Sequence, residues 1–124
     1  MSKILGIDYG SSKIGLALAD TETKLAVPFK VVETDNLKAV IEELAREFED
    51  LEKIVVGLPL GLSGLETAQT KEARKFIMEL KKSSNLAVEE IDERLTTVAA
   101  KKAGGDDAVA AMYILQSYLD KVYG

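Results

Sequence analysis

Hydrophobic and polar residues are arranged along this chain with two different periods. Three short apolar runs come first, at residues 3–8, 14–20 and 26–34, and a polar, glycine-containing segment separates the first two. Short apolar runs joined by such segments are typical of strands in hairpins. Pro28 stands near the start of the third run, where a missing N–H group is tolerated best. The pattern predicts a three-stranded meander at the start of the chain.

The next segment has the period of a helix. Apolar residues recur every three or four positions from Leu37 to Leu51, with acidic residues on the other side, as in an amphipathic helix. Asp35 or Asn36 is expected to cap its first turn, because a side-chain oxygen there can accept from a free backbone N–H group. Residues 54–58 then form an uninterrupted, β-branched run, which is typical of a strand covered on both faces.

The remaining chain repeats this alternation. Helical spacing recurs at residues 73–80, a strand is predicted at residues 86–91, and helical spacing returns from about Asp107 to Val122. The predicted order is therefore β-β-β-α-β-α-β-α. A meander followed by alternating helices and strands implies an α/β fold with one mixed five-stranded sheet. At 124 residues the chain is expected to form a single domain, residues 1–124.

Composition excludes several kinds of active site. The chain has no cysteine and no histidine. It therefore has no disulfide, no thiolate-ligated or histidine-ligated metal site, no cysteine nucleophile and no imidazole general base. Any chemistry must come from carboxylates, hydroxyls, lysine, arginine, backbone amides or a bound ion.

Charge is distributed unevenly along the sequence. The formal net charge is −5, and the segment 35–52, with seven acidic and two basic residues, accounts for all of it. Basic residues outnumber acidic ones in the segment 71–82. We therefore expect negative and positive charge to lie on different sides of the folded molecule, which permits nucleic acid to bind on one side.

No targeting or membrane segment is visible in the sequence. The apolar run after Met1 reaches Asp8 at once, so a signal-peptide core is not expected. The longest stretch nearly free of charge, residues 54–65, is well short of the ~20 apolar residues that a membrane span needs. A cytoplasmic protein without membrane contact is predicted.

Acidic residues stand where predicted elements end or begin. Asp8 closes the first strand, Asp92 or Glu93 follows the fifth, and Asp106 or Asp107 opens the last helix. Of the last two, Asp106 is the better helix cap and Asp107 the better ligand. Ligands of such sheets bind at the C-terminal ends of the parallel strands, and carboxylates that meet there repel one another unless a cation compensates. Mg²⁺ prefers oxygen ligands, and a pair of such ions can activate water against a phosphodiester, so the residues alone support a divalent-metal phosphodiesterase.

Five segments of this chain, in order and over nearly its whole length, resemble the YqgF/RuvX family. They are Gly6-Ile7-Asp8-Tyr9-Gly10, Lys13-Ile14-Gly15-Leu16-Ala17, Val56-Gly57-Leu58-Pro59, Asp92-Glu93-Arg94-Leu95-Thr96-Thr97, and Asp107 with Ala110-Ala111 and Ile114-Leu115-Gln116-Ser117-Tyr118-Leu119. The fourth and fifth segments together are the specific ones. Members of this family are Holliday-junction-resolvase-like proteins, also described as nucleases that mature the pre-16S ribosomal RNA.

The resemblance implies an RNase H-like fold and a metal-dependent endonuclease, a hydrolase that acts on phosphodiester bonds. Its catalytic residues are expected to be Asp8, Glu93 and Asp107, with Mg²⁺ or Mn²⁺ as cofactor and with Asp92 as a further metal ligand beside Glu93. Asp8 and Asp107 would ligate the metal, and Glu93 would complete the site or position water. The division of this role between Asp92 and Glu93 stays open, as does the number of ions.

The resemblance also implies contacts with nucleic acid. Lys13 and Arg94 are expected to contact phosphate oxygens, Arg94 more strongly because a guanidinium can donate two bonds at once. Family members usually carry arginine where this chain has Lys13. They also have a longer, often basic connection before the last helix, of which Lys101 and Lys102 are the basic residues that remain here. Fewer basic residues imply weaker binding of nucleic acid.

The implied substrate is a structured nucleic acid, the 5′ end of pre-16S ribosomal RNA in ribosome biogenesis. A junction-cleaving DNase is an alternative, and so is a factor that keeps the fold and binds nucleic acid without cleaving it. An actin-like ATPase shares the fold and an Asp-x-Gly turn, but it needs a second lobe, for which 124 residues leave no room. The sequence leaves open whether the protein is a monomer or a homodimer.

Overall fold

The computed structural model describes residues 2–10, 12–59, 66–92 and 106–123. The strands within these residues are β1 (Lys3–Asp8), β2 (Lys13–Asp20), β3 (Leu25–Glu33), β4 (Leu51–Leu58) and β5 (Ala87–Asp92), and the helices are α1 (Leu37–Glu47), α2 (Ala68–Ser83) and α3 (Asp107–Tyr123). The strands form one sheet in the order β3-β2-β1-β4-β5, antiparallel from β3 to β1 and parallel from β1 to β5. The predicted order of elements and the mixed sheet are confirmed. Within the described ranges, no helix is long and apolar enough to cross a membrane.

Side chains alternate across the sheet, and each face has its own apolar layer. Leu5 and Ile7 of β1 pack beneath α1 and α2, whereas Ile4 packs beneath α3. We call these two sides the α1/α2 face and the α3 face. In β4, Ile54 and Val55 belong to opposite layers and both are fully buried. The prediction of a strand covered on both faces is therefore confirmed.

The first helix is shorter than its apolar period indicates. α1 ends at Glu47, Phe48 adopts an extended backbone, and Leu51 is the first residue of β4. Phe48 and Leu51 still pack on the same apolar layer as α1, so the helical spacing continues after the chain has turned. The Lys3 N–H group donates to the Asp50 carbonyl at 2.9 Å, and this bond begins the pairing of β4 with β1. Strand pairing therefore decides where the helix stops.

The predicted side-chain cap of α1 is wrong. A 3₁₀ turn over Thr34–Asn36 leads directly into the helix. Asn36 stands at the N-cap position, but its side chain makes no capping hydrogen bond within the described part of the chain. Instead, the Leu37 N–H group donates to the Thr34 carbonyl. The backbone of the turn supplies the acceptor that the prediction assigned to Asp35 or Asn36.

The acidic and basic segments lie on the same side of the molecule. α1 lies within the acidic segment and α2 contains the basic one, and both helices pack on the α1/α2 face. A groove of about 560 Å³ runs between them. Its rim carries both signs of charge: Asp35, Glu72 and Glu79 with Lys38, Lys75 and Lys82. The two segments therefore do not polarise the molecule from one side to the other, as the sequence suggested, because they are neighbours.

Candidate carboxylate site at the edge of the sheet

Asp8 is the last residue of β1, the central strand. Its Cα partners are Gly15 on β2 and Gly57 on β4, and the residue is half-buried. Ile4 and Gly6, which precede it at even spacing, face α3. Because side chains alternate along a strand, the Asp8 carboxylate lies on the α3 face. Asp8 is therefore at the carboxyl edge of the sheet, near the start of α3.

Gly15 allows the start of α3 to lie against the sheet beside Asp8. A Cβ atom at Gly15 would overlap the main-chain carbonyl of Asp107 and would lie 2.7 Å from the Ala108 nitrogen. A residue without a side chain permits this approach of two backbones. Since paired strands place Cα atoms about 5 Å apart, Asp8 and Asp107 are neighbours across Gly15. The fold thus joins acids from opposite ends of the sequence.

The two adjacent acids at the start of α3 have different roles. The Asp106 carboxylate accepts from the Val109 N–H group at 3.0 Å, which confirms Asp106 as the helix cap. Asp107 is the first residue of the helix and is exposed. The positive end of the helix dipole stabilises an ionised carboxylate at such a position. Asp107 therefore adds a second acidic side chain at the carboxyl edge of the sheet, where β1 ends at Asp8.

Asp92 ends β5 at the same edge, but on the opposite face. Glu89 bonds to a residue of α3, whereas Glu90 pairs with a residue of α2. Asp92 alternates in step with Glu90, so it lies on the α1/α2 face, where it is exposed. Asp92 and Asp8 therefore lie on opposite faces of the sheet, and the metal role that the resemblance implied for Asp92 stays a prediction.

Four of the predicted site residues lie outside the part of the chain that the structure describes: Glu93, Arg94, Lys101 and Lys102. Among the described residues, no three potential ligands lie close enough together to hold an ion. Asp8 and Asp107 are the pair that the fold brings together. Mg²⁺ is often bound by only one or two carboxylates, with water and substrate phosphate at its other positions. The oxygen donors of this pair therefore fit the predicted cofactor.

Lys13 is the first residue of β2 and is exposed. It alternates in step with Gly15, so it lies on the face of Asp8, two residues farther toward the carboxyl edge. A lysine there can contact an oxygen of a phosphate that lies beside Asp8. Its Cα partner on β3 is Glu33, and an acid directly opposite a lysine lowers the positive potential that a phosphate would meet.

Threonine hydroxyls anchor two connections at the carboxyl edge, and the sequence reasoning missed both. Thr34 donates to the Gly10 carbonyl at 2.8 Å, which holds the turn between β1 and β2. Thr70 is fully buried, donates to the Pro59 carbonyl, and forms a reciprocal capping box with Thr67. The Thr-x-x-Thr spacing is analogous to the known Ser/Thr-x-x-Glu signature of a helix start. That spacing is the signal that could have located the start of α2.

Comparison with known proteins identifies relatives over nearly the whole chain. The model of the family described as "RuvX: Holliday junction resolvase" matches residues 2–121. A protein of Endomicrobium trichonymphae is 40% identical, over 97% of this chain and 96% of its own length. A protein of Rickettsia bellii (strain OSU 85-389) is 38% identical, over 96% of this chain and 86% of its own length. Both carry the name "Putative pre-16S rRNA nuclease".

Solved structures include one with the same fold and a bound nucleic acid. RuvC of Thermus thermophilus, in complex with a Holliday junction substrate, matches with a TM-score of 0.66 and 16% identity, over 100% of this chain and 97% of that chain. At this identity the likeness shows the fold, and it confirms the RNase H-like arrangement that the resemblance implied. Because the family match spans residues 2–121 and the two relatives share 40% and 38% identity with nearly all of the chain, this chain belongs to the RuvX family.

Proposed function

We propose that this protein is a metal-dependent nuclease that hydrolyses phosphodiester bonds in structured nucleic acid, with a precursor of 16S ribosomal RNA as its substrate. Membership of the RuvX family supports a nuclease, and the names of the relatives support the RNA substrate. The observation that carries the proposal is the contact of α3 with Gly15, which makes Asp8 and Asp107 neighbours. Two carboxylates at one edge favour binding of a cation, since a bound cation offsets the repulsion between their negative charges.

Asp8 and Asp107 are the proposed ligands of Mg²⁺ or Mn²⁺, with Glu93 as the third acidic residue of the site. Glu93 is assigned in preference to Asp92 because Asp92 lies on the α1/α2 face, away from Asp8. When bound, such an ion lowers the pKa of a coordinated water and stabilises charge on the leaving oxygen. Asp8 orients the ion, because it stands on the central strand of the sheet and is half-buried.

The phosphate backbone of the substrate is the proposed partner of the basic residues. Lys13 stands on the face of Asp8 and would contact a phosphate oxygen as a point charge. Arg94 is proposed as a second, bidentate contact, with Lys101 and Lys102 as additional contacts. Glu33 opposes Lys13 across the sheet, so the affinity of this edge for nucleic acid is expected to be modest and salt-dependent.

The substitution Asp8→Asn tests the proposal directly. Asparagine keeps the shape of the side chain and removes one ligand charge. Cleavage should fall by about 100-fold or more, since loss of even an outer-shell partner of a metal ligand costs about 10–100-fold. The measurement is cleavage of an RNA fragment that contains the 5′ processing site of pre-16S ribosomal RNA, in Mg²⁺, in Mn²⁺ and in EDTA.

The matched control is Asp20→Asn. Asp20 ends β2 at the other end of the same strand pair, where it is the Cα partner of Lys3 and forms an ion pair with it at 3.8 Å. This variant should cleave like the wild-type protein, and both variants should keep the wild-type Tm within a few degrees. Full cleavage by Asp8→Asn, or wild-type cleavage that persists in EDTA, would falsify the site assignment.

Junction DNA is the second candidate substrate. The description of the family names a Holliday junction resolvase, and a RuvC structure of the same fold holds a junction. A four-way DNA junction assayed beside the RNA separates the two substrates, since the proposal predicts that the RNA is cleaved faster. Binding of both substrates without cleavage of either would favour a non-catalytic factor. A thermal shift with MgATP, and none with Mn²⁺ and RNA, would favour an ATPase.

A further inference from the structure

Two polar side chains of α3 tie this helix to opposite edges of the sheet. Both belong to the segment 114–119, which the family resemblance singles out, and neither has a part in the proposed chemistry. Gln116 reaches β3, the strand at one edge, and Tyr118 reaches β4 and β5 at the other.

The side-chain amide of Gln116 pairs with the outer edge of β3 as a neighbouring strand would. Its Oε1 atom accepts from the Ala26 N–H group at 2.9 Å, and its Nε2 atom donates to the Lys24 carbonyl at 3.1 Å. Nε2 also donates to Oδ1 of Asp120, one turn later in α3, at 3.1 Å. This third bond orients the amide. Gln116 therefore holds α3 to two backbone groups, one within the edge strand β3 and one just before it.

The hydroxyl of Tyr118 joins α3 to two strands at once. It accepts from Lys53 Nζ of β4 at 2.6 Å and donates to Glu89 Oε2 of β5 at 2.5 Å. An ion pair between Lys53 and Glu89 at 3.3 Å closes the triangle. Tyr118 is only 7% exposed, so water competes weakly for these bonds. Burial, together with the bond to Glu89, raises the pKa of Tyr118, so the hydroxyl keeps its proton and donates at neutral pH.

Large apolar side chains fix the later turns of α3, where Ile114, Leu115 and Leu119 are buried, but they do so less at its start. The buried side chains of its first turns are small, namely Ala108, Ala110 and Ala111, and burial of apolar surface is non-directional. Hydrogen bonds, in contrast, weaken steeply when their distance or angle changes. At Gly15 the helix cannot move closer to the sheet, and a movement away would separate Asp107 from Asp8.

We propose that Gln116 and Tyr118 are positioning residues, which hold α3 to both edges of the sheet and thereby keep Asp107 beside Asp8. The inference rests on the proposed function, in which Asp8 and Asp107 hold the metal together. The two side chains act at a distance, because they lie about 14–17 Å beyond Asp107 along the helix at 1.5 Å per residue.

The test compares Gln116→Met and Tyr118→Phe with the control Tyr113→Phe. The first two substitutions remove the hydrogen-bonding groups and nearly keep the side-chain volume, and the control removes a hydroxyl from the same helix. Backbone amide NMR spectra of the metal-free proteins report local geometry without substrate. Both positioning variants should shift the amide resonances of Gly15 and Asp107, and the control should leave them unchanged.

Binding of Mn²⁺ gives a second readout that does not depend on cleavage. The Kd for Mn²⁺, measured by electron paramagnetic resonance well below the Tm, should rise about 10-fold in both positioning variants, as for other residues that orient metal ligands. The control should keep the wild-type Kd. A merely structural role would lower the Tm and leave the Kd unchanged. Gln116→Glu keeps the acceptor for Ala26 but loses both donor bonds and sets a carboxylate against the Lys24 carbonyl and the Asp120 carboxylate, so its effect should be at least as large as that of Gln116→Met.

The outcomes separate this inference from the proposed function. Unchanged Gly15 and Asp107 resonances in both variants would overturn the positioning role, and so would shifted resonances with an unchanged Kd for Mn²⁺. If the wild-type protein binds no Mn²⁺, the proposed function is contradicted. The positioning role then has no metal site to serve, even if the resonances shift. If Tyr118→Phe does not fold, Gln116→Met and Gln116→Glu decide the matter, since Gln116 is only half-buried.

Discussion

At the scale of single residues, the candidate site depends on a position that has no functional group. Gly15 contributes only the absence of a side chain, yet its contact with the Asp107 backbone makes Asp107 a neighbour of Asp8. The carboxylates supply charge, and the glycine determines where one of them lies. A substitution there should therefore affect both stability and metal binding.

Gly15→Ala should push the start of α3 away from β2. An extra methyl group in a well-packed interface costs about 1–3 kcal/mol of unfolding free energy, and the affinity for Mn²⁺ should fall because Asp107 moves with the helix. The control is Gly6→Ala, whose Cβ atom would lie 2.8 Å from Leu115 Cβ, farther along α3. It should destabilise the protein with a smaller loss of Mn²⁺ affinity. Urea unfolding and Mn²⁺ titration measure the two effects, and wild-type affinity in Gly15→Ala would contradict the proposed metal pair.

At the scale of elements, the ends of helices are set by contacts outside their own period. α1 stops at Glu47 because the following residues pair as a strand, although the apolar spacing continues. α2 begins at Ala68, where Thr67 and Thr70 cap each other and Thr70 also bonds to the end of β4 at Pro59. Hydrogen bonds of this kind fix the carboxyl edge of the sheet, where β1 ends at Asp8.

Thr70→Val should destabilise the protein through the lost hydroxyl. Valine keeps the shape of threonine, but the Pro59 carbonyl and the Thr67 N–H group lose this partner. The expected cost is about 1–3 kcal/mol of unfolding free energy, typical of a hydrogen-bond partner removed from a buried site. Thr70→Ser keeps the hydroxyl and should retain more of the stability. Equal urea midpoints for Thr70→Val and the wild-type protein would show that the hydroxyl is not an anchor.

At the scale of the whole molecule, the Lys53–Tyr118–Glu89 triangle links one helix to two strands and responds to pH. The bond from Tyr118 lowers the pKa of Glu89 below its ordinary 4.5, with Lys53 acting in the same direction. The bond to Tyr118 also raises the pKa of Lys53 above its ordinary 10.5. Folding thus favours the ionised carboxylate and the protonated amine, so the triangle contributes stability between these two limits.

Glu89→Gln should reduce stability at neutral pH and have a smaller effect in acid. The contribution of Glu89 is present above its ordinary pKa of 4.5 and is lost as the pH falls through its lower folded-state pKa. The difference in unfolding free energy between the wild type and Glu89→Gln should therefore shrink as the pH falls below about 4. Urea unfolding from pH 3 to pH 8 measures it. Repeating the substitution in a Tyr118→Phe background should reduce the difference at pH 7, because the tyrosine hydroxyl is the main cause of the shift, and an undiminished difference would contradict the coupling.

Most of the fold could be predicted from the sequence, and the failures have a common cause. β1 and the order of the elements could be predicted because a strand or helix with one buried face repeats its apolar residues with the period of that element. The spacing could not locate the end of α1, because Phe48 and Leu51 pack on the same layer after the turn. It also could not show that the acidic and basic segments are neighbours, since local patterns do not record which helices share a face.

The sequence by itself determined the chemistry that is possible. It excludes histidine and cysteine sites and limits metal ligands to oxygen donors, and its motifs resemble one family. Only the tertiary structure decided which acids lie on the same face of the sheet. Asp107 comes to Asp8 through the backbone contact at Gly15, whereas the alternation of β5 turns Asp92 to the other face. The reason is physical: convergence depends on strand register and on contacts between residues far apart in the chain, and neither leaves a periodic signal in the sequence.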